Sequence, residues 1–152
     1  MSIKKGDKCP AFSLQNQHGE TIAINDLIGS KNLVIYFYPK DKTSGCTRQA
    51  CSFRDSYQVF SDLDCEIIGI SSDSVRSHQE FSESYQLKFN LLADVGDQVR
   101  NLFGVPESFF GLIKGRVTYI VDKKGIVQYV FRSQVNGTRH VKNAVKFLKD
   151  MK

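Results

Sequence analysis

Leu33-Val34-Ile35-Tyr36-Phe37-Tyr38 runs directly into Pro39-Lys40-Asp41-Lys42-Thr43-Ser44-Gly45-Cys46, and a second cysteine, Cys51, stands five residues further on. The first six residues are aliphatic and aromatic and read as a buried strand. From Thr47 to Asp62 the pattern turns helical, with Ala50, Phe53, Tyr57 and Phe60 recurring at steps of three and four. Cys46 therefore falls at a strand-to-helix junction. A thiol there meets unpaired backbone N–H groups and the positive end of a helix dipole, which favour thiolate over thiol. A nearby second thiol offers a way to regenerate the first after oxidation. The segment reads as a redox-active cysteine pair.

Outward from this unit, strands and helices alternate. On its N-terminal side, 10–14 and 20–24 read as a hairpin around the polar turn Gln15 to Gly19, closed by a short helical turn at 25–29. On its C-terminal side, 65–71 is a strong strand. Asp73 or Ser74 can cap a helix that includes Val75, His78, Phe81 and Tyr85. A short strand at 89–93 and a short helix at 96–103 follow. Val117 to Val121 and Ile126 to Phe131 flank a glycine-containing turn and predict a second hairpin. From Thr138 the chain ends in an amphipathic helix with Val141, Ala144, Val145 and Leu148 on one face. This order implies an α/β domain over residues 1–152, with a mixed central sheet flanked by helices and an N-terminal β-hairpin. The strand–Cys–helix unit is what a thioredoxin-like fold contains.

Composition narrows the class. The 152 residues are 41% apolar and 24% charged, a balance suited to one soluble domain with a substantial core. No apolar run approaches the roughly 20 residues that span a bilayer. The first residues lack the apolar core of a signal peptide, so the expected location is cytoplasmic, with a plastid or other organelle as the alternative if a transit peptide has been removed. The net charge of +5 is spread out, and no run of basic residues exceeds two. Neither nucleic acid nor membrane is expected as a partner, although a mild positive potential suits an acidic protein.

A thiolate held among hydrogen-bond donors attacks an electrophilic oxygen or sulfur. With a peroxide, the O–O bond breaks and an alkoxide or hydroxide departs, so donors around that oxygen stabilise the developing charge. A cation helps most, and Arg116, after Gly115 and at a strand start, is the first candidate. Thr43, three residues before Cys46, can donate its hydroxyl to the sulfur or a bound oxygen. Pro39 ends the strand and can shield the sulfur from water. The product is a sulfenic acid, which condenses with a nearby thiol. In one intact helix, α-carbons five residues apart lie about 8.6 Å from each other, whereas disulfides need less than about 7 Å. Were Cys51 that thiol, roughly residues 44–52 would have to unwind.

The stretch carries a family resemblance. Pro39, then Thr43 four residues on, then Cys46 three later matches the signature of peroxiredoxins. The longer run from Tyr36 to Asp55 resembles the Q-type peroxiredoxins, also called bacterioferritin comigratory proteins. Further matches lie at Gly69-Ile70-Ser71, Phe103-Gly104-Val105-Pro106, Gly115 to Tyr119 and the terminal helix. The resemblance implies a thioredoxin-like fold and thiol peroxidase activity on hydrogen peroxide and organic hydroperoxides. It implies Cys46 as the peroxidatic cysteine, Cys51 as the resolving one in an intramolecular disulfide, and Thr43 and Arg116 as activating groups. Thioredoxin or a similar dithiol protein is the implied reductant, in the service of antioxidant defence and redox homeostasis. A single intramolecular bond needs no partner subunit, so a monomer is favoured, and no cofactor is expected. Two positions depart from the usual pattern: Cys9 stands where alanine is common before Pro10, and Gln49 replaces a frequent glutamate.

Other readings stand beside this one. Cys65 opens an apolar strand and reads as core, and Cys9 reads as incidental. His18, His78 and His140 read as solvated side chains. Phe103, Phe109 and Phe110, in a stretch with Pro106, Gly111 and Gly115, either pack the core or line the site. A zinc site could draw on Cys46, Cys51, Cys65 and a histidine, but the spacing lacks the usual C-x2-C knuckle. A protein disulfide oxidoreductase lacks the expected C-x-x-C, and a non-catalytic redox sensor needs the same reactive site as a peroxidase.

Overall fold

The computed structural model describes residues 2–105, 107–108, 113–133 and 137–151. Its centre is a seven-stranded mixed sheet of β1 (Ser13–Gln15), β2 (Thr21–Ala23), β3 (Asn32–Phe37), β4 (Cys65–Ser71), β5 (Asn90–Ala93), β8 (Val117–Val121) and β9 (Val127–Arg132). The spatial order is β2-β1-β5-β4-β3-β8-β9. β3, β4 and β5 run parallel, while β1, β8 and β9 join antiparallel. β6 (Glu107–Ser108) and β7 (Ile113–Lys114) form a separate two-stranded ribbon. The predicted hairpins are β1–β2 and β8–β9.

Strand β3 explains the layering. Its side chains alternate, so Val34 and Tyr36, with Tyr38 beyond, join one buried cluster, and Leu33, Ile35 and Phe37 the other. A strand covered on both faces needs an apolar run rather than strict alternation, which is what 33–38 supplies. The first cluster is roofed by α1 (Ser44–Asp55), α2 (Tyr57–Asp62), α3 (Val75–Tyr85) and α5 (Gly137–Met151). The second is closed by α4 (Gln98–Phe103) and by N-terminal side chains that include Ile3, Cys9 and Phe12.

Helix α3 starts where Ser74 accepts the Ser77 amide at 3.1 Å, and ends at Gln86 in a left-handed conformation. The expected single helix over 47–62 is two helices. The first begins at Ser44 because the Thr43 carbonyl accepts the Thr47 amide at 2.8 Å. The break at Ser56 restarts the helix so that Phe53 and Phe60 reach the same core, their ring centroids 5.6 Å apart.

Candidate active site around Cys46

Cys46 is the third residue of α1 and is 2% exposed. It lies in the first turn, where helical N–H groups have no intrahelical acceptor. Arg116 immediately precedes β8 and is itself buried. Antiparallel pairing of Phe37 with Val117 sets residue 116 at the end of the sheet from which the loop after β3 departs. Its Nη2 stands 3.2 Å from Cys46 Sγ, and its Nη1 donates to Gln49 Oε1. Gln49 is fully buried, and its Nε2 has no hydrogen-bond partner among the described residues. The guanidinium thus bridges the sulfur and a side-chain amide, presenting one nitrogen to each.

Thr43 is the N-cap of α1, and its exposed hydroxyl donates to the Lys40 carbonyl at 3.0 Å rather than to the sulfur. Pro39 follows β3 and is half-buried. Cys51 is half-buried in the unbroken α1, and all four cysteines are free thiols. Cys9 and Cys65 sit in the core, and burial pushes their thiols up to about 11 and about 12. Phe103 packs against Phe37 and Tyr119 in the core. Pro106, Phe109, Phe110 and Gly111 lie outside the described residues.

Two histidines correct the sequence reading. His18 is exposed as expected, but His78 and His140 are fully buried. His140 sits between Thr118 Oγ1 at 2.7 Å and the Ser133 carbonyl at 2.8 Å. Since a carbonyl only accepts, Nε2 donates to Ser133 and Nδ1 accepts from Thr118. Burial, reinforced by the nearby Arg116 charge and opposed by the Ser133 bond, lowers its pKa to about 4. A neutral imidazole here does not compete with Arg116.

His78 is part of a knot on the loop that leads to Cys46. The buried Asp41 carboxylate accepts from Tyr38 Oη at 2.6 Å and from Ser77 Oγ at 2.9 Å, and meets His78 Nδ1 at 2.7 Å. His78 Nε2 faces the Leu92 carbonyl at 3.0 Å. Both ring nitrogens are thereby engaged, Nδ1 with the carboxylate and Nε2 with a carbonyl oxygen that only accepts. The Asp41 amide donates to Asp73 at 2.8 Å, and Ser71 Oγ donates to the same carboxylate oxygen at 2.6 Å. Asp41, Asp73 and His78 are the group with metal-ligand spacing among the described residues, but each is engaged in this network. The four thiols are not gathered into such a group.

Arg100, also unforeseen, is buried and donates to the carbonyls of Gly115 at 2.8 Å and Tyr38 at 2.9 Å. It thereby links the residue before Arg116 to the residue before Pro39. A sequence signal for the histidines did exist. His78 falls on the stripe of Phe81 and Tyr85, and His140 on that of Ala144 and Leu148, so helical spacing already assigned both to buried faces. Gln49 stands out as a replacement for a frequent glutamate, but nothing local marks Asp41 or Arg100.

Residues 5–130 match the AhpC/TSA family. The chain is 44% identical to the chloroplastic Peroxiredoxin Q of Triticum aestivum over 149 residues, which is 98% of this chain and 68% of that protein. It is likewise 44% identical to the chloroplastic Peroxiredoxin Q of Arabidopsis thaliana over 147 residues, 97% of this chain and 68% of that one. The crystal structure of peroxidoxin BcpB from Mycobacterium tuberculosis superposes with a TM-score of 0.91 at 31% identity, covering 99% of each chain. The Xanthomonas campestris bacterioferritin comigratory protein does so with a TM-score of 0.84 at 29% identity, covering 92% of this chain and 91% of that one. With its thioredoxin-like fold and the cysteine signature on α1, the chain belongs to the AhpC/TSA family, in its peroxiredoxin Q group of thiol peroxidases.

Proposed function

We propose that this peroxidase reduces hydrogen peroxide and small organic hydroperoxides at Cys46. The Arg116 guanidinium 3.2 Å from Cys46 Sγ, at the start of α1, is the observation that carries the reading. The Cys46 thiolate attacks one peroxide oxygen, an S–O bond forms, and the O–O bond breaks. The departing oxygen leaves as water or an alcohol after taking a proton, and Cys46 is left as a sulfenic acid. Arg116 and the N–H groups of the first turn stabilise both the thiolate and the charge that grows on the leaving oxygen. Thr43 is assigned to the bound peroxide, which it reaches by turning its hydroxyl away from Lys40. Pro39 limits the access of water to the sulfur. The Xanthomonas campestris relative is described for its alkyl peroxide reduction activity, which supports the same substrate class here.

Cys51 then attacks the sulfenic sulfur, water leaves, and an intramolecular disulfide forms. Both cysteines belong to one continuous helix, so the start of α1 unwinds to bring them together. Thioredoxin or a similar dithiol protein returns both thiols, and one chain suffices for the cycle. The test adds one equivalent of hydrogen peroxide to reduced protein, follows peroxide loss by stopped flow, and maps the product by non-reducing peptide mass spectrometry. Rapid loss with a Cys46–Cys51 linkage is expected. Wild-type loss in a Cys46→Ser protein would overturn the reading, and a different linkage would remove Cys51 from its role.

A further inference from the structure

A groove of about 450 Å3 runs along α1 on the side facing α5. Val141 and Val145 form its floor, and Ser52 and Ser56 line its α1 side. Lys142, Lys146 and Lys149, at helical spacing on α5, line its other side. All three are exposed, and none forms an ion pair with a carboxylate among the described residues. Arg48 is exposed on α1 one turn before Ser52 and adds a fourth cation. An apolar floor beside three lysines and Arg48 fits a partner with carboxylates around an apolar contact.

The position of the groove selects the partner. Ser52 directly follows Cys51, so this surface flanks the helix that carries both reactive thiols. A protein reductant has to reach the segment that carries both cysteines, and α5 with its three lysines lies outside the residues that unwind on oxidation. Its thiolate attacks one sulfur of the disulfide and the S–S bond breaks. The second cysteine leaves as thiolate, and the reductant's other thiol then displaces the first, carrying away the disulfide. We infer that the α1–α5 groove docks the acidic surface of the dithiol protein that reduces the Cys46–Cys51 disulfide, an inference that rests on the function proposed above.

The test uses the peroxide-oxidised protein and follows the return of free thiols with two reductants. One is a thioredoxin of negative net charge, the other the small, uncharged dithiothreitol. In the double variant Lys142→Glu/Lys146→Glu, reduction by thioredoxin should slow roughly tenfold and lose its dependence on salt, since rim charges act mainly on association. Reduction by dithiothreitol and peroxide consumption should stay within about twofold of wild type. The variant Lys4→Glu/Lys5→Glu lowers the net charge equally, on a segment packed at the opposite face of the sheet, and should reduce like wild type. Equal thioredoxin rates for wild type and the groove variant would overturn the docking surface, as would equal slowing in both variants. Failure of thioredoxin to reduce wild type while dithiothreitol succeeds would instead overturn the thioredoxin reading and the groove with it.

Discussion

At the scale of single residues, the chemistry depends on which groups surround each thiol. Cys46 has a guanidinium and a helix start beside it, while Cys9 and Cys65 have core side chains. Arg116 has to present one nitrogen to sulfur and another to Gln49, which the planar fork of arginine does and a lysine ammonium does not. Arg116→Lys should therefore slow peroxide consumption by roughly 100-fold, the scale of losing one oriented donor to a developing charge. Stopped-flow measurement of the first turnover checks this, and a loss below threefold would contradict it. Burial raises the Cys9 and Cys65 thiols to about 11 and about 12, so iodoacetamide at pH 7 should leave both unmodified in the folded protein. Peptide mass spectrometry should find the label on Cys46 and Cys51 alone.

At the scale of elements, α1 has two tasks that conflict. It holds Cys46 at its N-terminus, and it keeps Cys46 and Cys51 too far apart to bond while it stays helical. Oxidation should therefore raise amide hydrogen exchange across residues 44–52, while β3 and β4, buried on both faces, change little. Identical exchange in reduced and oxidised protein would rule out the unwinding. The loop before α1 is anchored separately, through Asp41, to α3 and the end of β4. Removing one partner of a buried hydrogen bond typically costs about 1–3 kcal/mol, because the other is left unsatisfied. His78→Leu should lower the urea midpoint accordingly and slow peroxide consumption, since the loop carrying Thr43 loses its anchor. A midpoint equal to wild type would show that the Asp41 contact contributes nothing.

For the whole molecule, stability should depend on pH through His140. Its folded pKa of about 4 lies below the ordinary 6.5, so as pH falls the unfolded chain takes up this proton first. Stability is therefore fully present above about 6.5 and is withdrawn down to about 4. At about 1.4 kcal/mol per unit, this one group removes about 2 kcal/mol between pH 7 and pH 5. Urea unfolding at the two values checks this, with His140→Gln expected to show the smaller difference. Among the described residues no helix is long and apolar enough to cross a membrane, and the plant relatives compared above are chloroplastic proteins.

What the sequence determined by itself is what short-range physics controls. The apolar run at 33–38, the helical spacing after Cys46, a helix cap at Asp73 or Ser74 and the glycine turn at 122–125 each follow from a few neighbouring residues. Together with the Pro39, Thr43 and Cys46 spacing, they made the fold class and the family legible and singled out Cys46 as the candidate thiol. Arg116 could be named as a cation but not located, because its approach to Cys46 depends on the β3–β8 register, which joins segments 80 residues apart at Phe37 and Val117. The break at Ser56 was hidden because the apolar spacing runs on through it, and only packing decides that Phe53 and Phe60 share a core. The burial of His78 and His140 was written in helical spacing, yet their roles were not. A polar side chain is tolerated inside only where distant partners satisfy it, and the tertiary structure alone supplies Asp41 and Leu92 to one histidine, Thr118 and Ser133 to the other.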